Sequence, residues 1–169
     1  MRIRLGVIGL AGLAATGFGA PAAAAQNPIY LGVGPTVQSI SNGDDGLAGL
    51  FRFGAKLDEA LPGLGVEGEV TRSLSDPQTA GGRDVTFTTF GGYAVYTAPL
   101  PDRRVSLRAR LGMVWVDADP DGRSSDSETE ISWGLGGEYR VTSQLSGYVD
   151  YTRMSSSLDH LNLGVQLHF

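Results

Sequence analysis

The ten residues from His160 to Phe169 constrain the chain most. From Leu161 onward every odd position is apolar (Leu161, Leu163, Val165, Leu167, Phe169), and every even one is polar or glycine (Asn162, Gly164, Gln166, His168). Side chains of a strand alternate between its two faces, so this segment is a strand with one oily face and one wet one. Phe169 lies on the oily parity, and the exposed edge of such a strand must pair with another.

The same period of two recurs seven times upstream, separated by turn-forming residues. Ile29 to Ile40 reads as the first strand, with Ile29, Leu31, Val33 and Val37 on one face; Pro35 is a misfit there, since it offers no N–H to a ladder. Leu47 to Leu57 is the second, with Phe51 and Phe53 opposite Arg52 and Lys56, and Leu64 to Leu74 the third, with Val66 and Val70 opposite Glu67 and Glu69. The fourth, Val85 to Thr97, is less regular: Val85, Phe87, Tyr93 and Val95 share one parity, Phe90 and Tyr96 the other. In the fifth, Val105, Leu107, Ala109, Leu111, Met113 and Trp115 oppose Arg104, Arg108, Arg110 and Gly112. The sixth sets Ile131, Trp133, Leu135, Tyr139 and Val141 against Glu130, Glu138 and Arg140, and the seventh Leu145, Val149 and Tyr151 against Tyr148 and Asp150. The connections alternate in character. Residues 41–46, 75–84, 117–128 and 154–159 are polar or acidic loops, whereas 58–63, the Pro99 to Pro101 return and 142–144 are short turns.

Met1 to Arg4 is basic, Leu5 to Ala20 is apolar and small, and Ala23-Ala24-Ala25 before Gln26 supplies an A-x-A cleavage pattern. Residues 1–25 are therefore expected to be a removed signal peptide and 26–169, 144 residues, a single domain. Without Arg2 and Arg4, 11 basic residues face 18 acidic ones, a net charge of −7 that argues against nucleic acid as a partner. There is no cysteine, so an exported domain of this size gains no stability from disulfides. No segment after residue 25 has eighteen consecutive apolar residues, as a spanning helix would need. Strands cross a bilayer with about ten residues, half of them apolar, and escape that test.

Alternation alone leaves open which face is inside. A soluble ligand-binding barrel would turn Leu107, Leu111, Trp133 and Leu163 inward. On the polar parity, however, the bases Arg52, Lys56, Arg104, Arg108, Arg110 and Arg140 nearly balance the acids Glu67, Glu69, Glu130, Glu138 and Asp150. Charges enclosed in a narrow bore need such matching, and arginine suits rigid bidentate pairing. Gly54, Gly65, Gly92, Gly112, Gly134, Gly136 and Gly164 on that parity would leave room for long side chains. Phe87, Trp115 and Trp133 fall toward the loop ends, Tyr139 and Phe169 toward the turn ends, as two interfacial aromatic bands would.

Three stretches carry a family resemblance: Trp133-Gly134-Leu135-Gly136-Gly137-Glu138-Tyr139-Arg140-Val141, then Leu145 to Arg153, then Leu161 to Phe169. A glycine-rich strand ending in Tyr-Arg, a short turn and an aromatic-acid-Tyr strand resemble the C-terminal half of OmpA/OmpX-like outer-membrane β-barrels. The resemblance implies an all-β, eight-stranded antiparallel up-and-down transmembrane barrel in the bacterial outer membrane, in contact with lipid and lipopolysaccharide. It further implies that Phe169 is the end recognised by the barrel-assembly machinery.

Little points to chemistry. Asp117, Asp119, Asp121 and Glu128 fit the spacing of a calcium loop, but strands rather than helices flank them and Ser124 stands where an apolar residue is usual; an acidic solvated loop is expected. His160 near Ser155, Ser156, Ser157 and Asp159 could imitate the Ser–His cluster of lipid A deacylases or acyltransferases, yet no motif fixes an ordered base and a third group. A polar contact at the loop end is expected for His160. No catalytic residue, cofactor or metal site is expected, and no open pore, because eight strands enclose only their own side chains. A structural or surface-interaction role follows, with a lipid A-modifying enzyme and a soluble periplasmic ligand-binding barrel as alternatives. The sequence leaves the oligomeric state open.

Overall fold

The computed structural model describes residues 28–41, 44–75, 85–102, 104–120 and 126–169. Alternation becomes eight strands: β1 (Ile29–Ile40), β2 (Gly46–Lys56), β3 (Leu64–Ser75), β4 (Val85–Pro99), β5 (Val105–Pro120), β6 (Asp126–Arg140), β7 (Leu145–Arg153) and β8 (Leu158–His168). Each pairs antiparallel with the next, and β1 pairs with β8, closing the sheet into a barrel with no free edge. Beyond the last ladder pair, the Phe169 N–H donates to the Ile29 carbonyl at 2.8 Å.

At the turn end the connections are locked locally. Asp58 accepts the Gly63 N–H at 2.8 Å, and Gly63 takes a positive φ of 83°, a conformation open to glycine and costly for other residues. The Thr142 hydroxyl accepts the Leu145 N–H at 3.0 Å, closing the β6–β7 turn.

The apolar parity faces out. Leu107 is 54% exposed, Trp133 44% and Leu163 61%, against 4% for Arg108 and 8% for Glu138. The inverted arrangement, a soluble barrel with an oily interior, is thereby excluded. Across β1, β2, β5, β6 and β8 the outer wall is a belt of Leu, Val, Ile and aromatic side chains that only hydrocarbon or a partner would cover.

Four expectations need correction. In β4 the parity expected to share the oily face points inward: Phe87, Tyr93 and Val95 are buried, while Phe90 and Tyr96 are exposed. The register decides this, since Phe90 pairs with Val70 and Trp115, which lie on the outward parity. Gly92 consequently faces outward, and it is Gly91 that lies under the Tyr93 ring. The stretch 117–128 is mostly hairpin, with Asp117 opposite Ser127 and Val116 opposite Glu128, because ladder bonds continue wherever two strands remain apposed, whatever their polarity. Trp133, expected near a loop end, therefore sits midway along β6, though beside Arg153 at the end of β7.

Pro35 is accommodated by a gap. It pairs with Gly49 of β2, while the β1–β8 ladder skips Gly34 and Pro35 between Val33↔Val165 and Thr36↔Asn162. The missing donor thus falls where no ladder bond is made.

Candidate functional site

The bore has three layers, set by how far along each strand an inward residue lies. The middle layer is ionic. Glu67 of β3 accepts hydrogen bonds from Arg108 (2.5 Å), Arg110 (3.0 Å) and the Tyr30 hydroxyl (2.8 Å), and lies 3.3 Å from Arg52 Nε. Glu69 takes Arg52 at 2.9 Å and Arg110 at 2.5 Å, and Asp150 takes Arg52 at 2.6 Å. Arg52 also stacks 4.2 Å over the Tyr148 ring, and Arg110 4.5 Å over Tyr93. All six charged groups are almost wholly buried, so each cation compensates an acid that would otherwise be very costly to enclose.

Local sequence makes this meeting possible. Arg52 and Glu69 are direct cross-strand partners. Arg108 and Arg110 of β5 lie opposite Gly136 and Gly134 of β6, and Gly136 in turn opposite Asp150 of β7. A Cβ at Gly136 would run into the Asp150 carboxylate, and one at Gly54 into the Tyr30 ring. The expectation that glycines make room for long side chains holds at these positions.

The balanced charge set splits by height. Arg104 lies exposed in the β4–β5 turn, Lys56 and Arg140 sit at the turn-end rim, and Glu130 is at the loop end, where it accepts the Ser156 N–H at 2.9 Å. These four are partly or fully exposed, so the enclosed network is narrower than the parity count implied.

Above the ionic layer the bore turns neutral and then apolar. Thr36 donates to Asn162 at 2.8 Å, Thr71 and Thr89 share a bond at 2.6 Å, and Ser73 donates to Gln38 at 2.7 Å. Phe87, Val114, Val116, Met154 and Leu158 then form a buried cluster against Ile40. Sequence reading missed this lid. Its signal was present, because Val114 and Val116 are apolar on the polar parity of β5.

The histidines lie at opposite ends. His160 is fully buried with its Nε2 3.1 Å from Gln38 Nε2, and no hydrogen bond links it to Ser155, Ser156 or Ser157; Ser155 and Ser157 meet each other at 3.5 Å. The polar contact expected of His160 near the loop end is made inside the bore, with Gln38. At the turn end, His168 Nε2 lies 2.8 Å from Ser146 Oγ and 3.4 Å from Glu138. Both contacts converge on one ring nitrogen, whereas a base relay needs its acid on one nitrogen and its nucleophile on the other.

In the calcium-like stretch, Asp117 and Glu128 belong to opposite parities of the β5–β6 hairpin, and Asp121 lies outside the described residues. Among the described residues no group of His, Cys, Asp and Glu is placed to hold a metal ion.

At the turn end the bore opens into a cup of about 750 Å³, floored by Arg108 and Gln166 and rimmed by Lys56, Arg140 and the turns at Pro62 and Pro99 to Pro101. Among the described residues the apolar cluster closes the bore above, and the cup opens at the turn end.

Residues 10–169 match the family model described as the outer membrane protein beta-barrel domain. No curated protein gives a significant sequence match. Similar solved structures include Neisserial surface protein A, 20% identical with a TM-score of 0.60 over 83% of this chain and 97% of that one. Another is Ail of Yersinia pestis, crystallised with the heparin analogue sucrose octasulfate: 15% identity and a TM-score of 0.61 over 86% of this chain and 100% of that one. The N-terminal barrel domain of Pseudomonas aeruginosa OprF gives 13% identity and a TM-score of 0.62 over 85% and 98%. At these identities the likeness is one of fold.

Proposed function

The chain belongs to the outer membrane protein β-barrel domain family and is a protein of the bacterial outer membrane, and we propose on that premise a structural or surface-interaction role without transport or catalysis. The observation that carries this reading is the filled bore. Three arginines and three carboxylates cross-link its middle and an apolar lid closes the loop end, so that among the described residues side chains fill the bore. Planar-bilayer recording tests it. The expected result is no stable conductance above background, and long-lived, sizeable openings would overturn the reading.

The outer partner we propose is lipopolysaccharide, met through divalent cations. The stretches 41–46, 75–84, 117–128 and 154–159 toward the loop end hold ten acidic residues and two basic ones, a composition that repels bare anions and attracts bridging cations. This differs from what a heparin-like polyanion would require, so a partner of the kind crystallised with Ail is not inferred. Phe169, exposed on the lipid parity at the closing strand, is proposed as the mark read by the barrel-assembly machinery. Assembly of Phe169→Ala should slow, as followed by heat-modifiable gel mobility, with the folded product unchanged in stability within about 1 kcal/mol.

Lipid A modification is the second reading. Incubation of the purified barrel with lipopolysaccharide should release no acyl chains, and detectable release would favour the enzyme. The burial of His160 against Gln38, with no hydrogen bond to Ser155, Ser156 or Ser157, supports the non-catalytic reading.

A further inference from the structure

The cup at the turn end is built unlike the rest of the bore, and its charges do not all have partners. Of the three cations lining it, Arg108 is bound to Glu67 at 2.5 Å and Gln166 at 3.2 Å. Arg140 is half-exposed and only 3.8 Å from Glu138. Lys56 is half-buried and enters no ion pair among the described residues. The acids of the cup are already engaged. Glu138 lies 3.4 Å from His168 and accepts from Gln166 at 3.3 Å, and Asp58 accepts the Gly63 N–H that holds the turn.

Lys56 and Arg140 thus share one concave mouth in which, among the described residues, Glu138 is the carboxylate in ion-pair range of Arg140 and none is in range of Lys56. Around them, at the rim, Pro62, Pro99, Leu100 and Pro101 form an apolar collar. We propose that this cup binds a small amphipathic oxyanion, a carboxylate or phosphate ester on a short hydrocarbon body. Its charged head sits between Lys56 and Arg140, over the Arg108 floor, and its tail lies against the proline collar. A volume of about 750 Å³ lies within the range of small-molecule sites, roughly 300–1,000 Å³. The short-turn end faces the periplasm in barrels of this kind, so the ligand arrives from the periplasm or from the inner leaflet. The site is independent of the outer loops and of the surface role argued above.

Titration of the purified barrel in a nonionic maltoside micelle, followed by amide chemical shifts, tests the proposal with three probes: hexanoate, hexyl phosphate and hexylammonium. Saturable shifts with one or both anions, confined to residues around Lys56, Ser106, Glu138 and Gln166, are expected. Preference for hexyl phosphate would identify a phosphate ester such as a lipid headgroup, and preference for hexanoate a carboxylate solute; either supports the site. Lys56→Gln should weaken binding roughly fivefold, the scale of one half-exposed ion pair, and Lys56→Arg should restore it. Unaltered heat-modifiable mobility shows that both variants fold. The proposal is overturned if neither anion gives saturable shifts, if hexylammonium binds as well as they do, or if Lys56→Gln binds unchanged.

Discussion

Between the middle of the bore and its loop end the chemistry of closure reverses. In the middle, Arg52, Arg108 and Arg110 lock onto Glu67, Glu69 and Asp150 through directional, charge-assisted bonds at 2.5–3.0 Å. At the loop end, Phe87, Val114, Val116, Met154 and Leu158 close the same channel by excluding water, with no bond among their side chains required. The ionic layer fixes the strands in one arrangement but is intolerant of losing a member, since each removal strands a buried charge. The apolar lid is tolerant of shape changes that conserve volume and sensitive only to holes. One barrel therefore contains two kinds of plug, and they should fail in different ways.

The sharpest break is Glu67→Leu. Three arginines and the Tyr30 hydroxyl converge on this carboxylate, so its removal leaves buried positive charge uncompensated. A loss of about 3–5 kcal/mol is expected, read from urea unfolding of the barrel in lipid vesicles. Replacing a guanidinium as well, in Glu67→Leu with Arg108→Leu, should recover much of it, because a pair exchanged for apolar residues is far less costly than half a pair. A single-variant loss under about 1 kcal/mol would mean that water reaches the layer and that the ionic plug is not dry.

Phe87→Ala is the matching break in the lid. Phe87 is buried against Val114 and Met154 rather than facing lipid, so truncation opens a cavity worth about 3–4 kcal/mol. Phe87→Leu keeps most of the volume and should cost less than about 1.5 kcal/mol. If Phe87 instead belonged to a lipid-facing band, Phe87→Ala would vary with lipid composition and Phe87→Leu would be nearly silent in unfolding titrations.

How much of this was readable in advance follows from the same contrast. Strand count, closure and the outward belt were legible because a period of two is enforced at every position where one face meets oil and the other does not, as from Leu161 to Phe169. The ionic partners were legible as a set but not as pairs. Parity says that Arg52 and Glu67 point inward, whereas which of them meet depends on the stagger between strands distant in sequence, such as β2 and β7. The lid was obscured for the opposite reason: an inward apolar residue such as Phe87 mimics the lipid-facing class, and only its register against Val70 and Trp115 through Phe90 tells them apart. The cup at the turn end was beyond reach, since Lys56, Arg108 and Arg140 come from three strands and the collar from two turns.

The smallest expected effect marks where the ionic plug stops. Arg140 and Glu138 are an ion pair by distance, 3.8 Å, yet the arginine side chain is 42% exposed at the rim. Water and salt screen such a pair, so Arg140→Gln should change stability by no more than about 0.5 kcal/mol, an order of magnitude below Glu67→Leu. Glu138 keeps His168 and Gln166 as partners in the variant and is not stranded. The two substitutions, compared in the same vesicles, locate the boundary between dry and wet charge. A loss from Arg140→Gln approaching about 2 kcal/mol would move that boundary down to the rim and make the whole turn end part of the plug instead of an open cup.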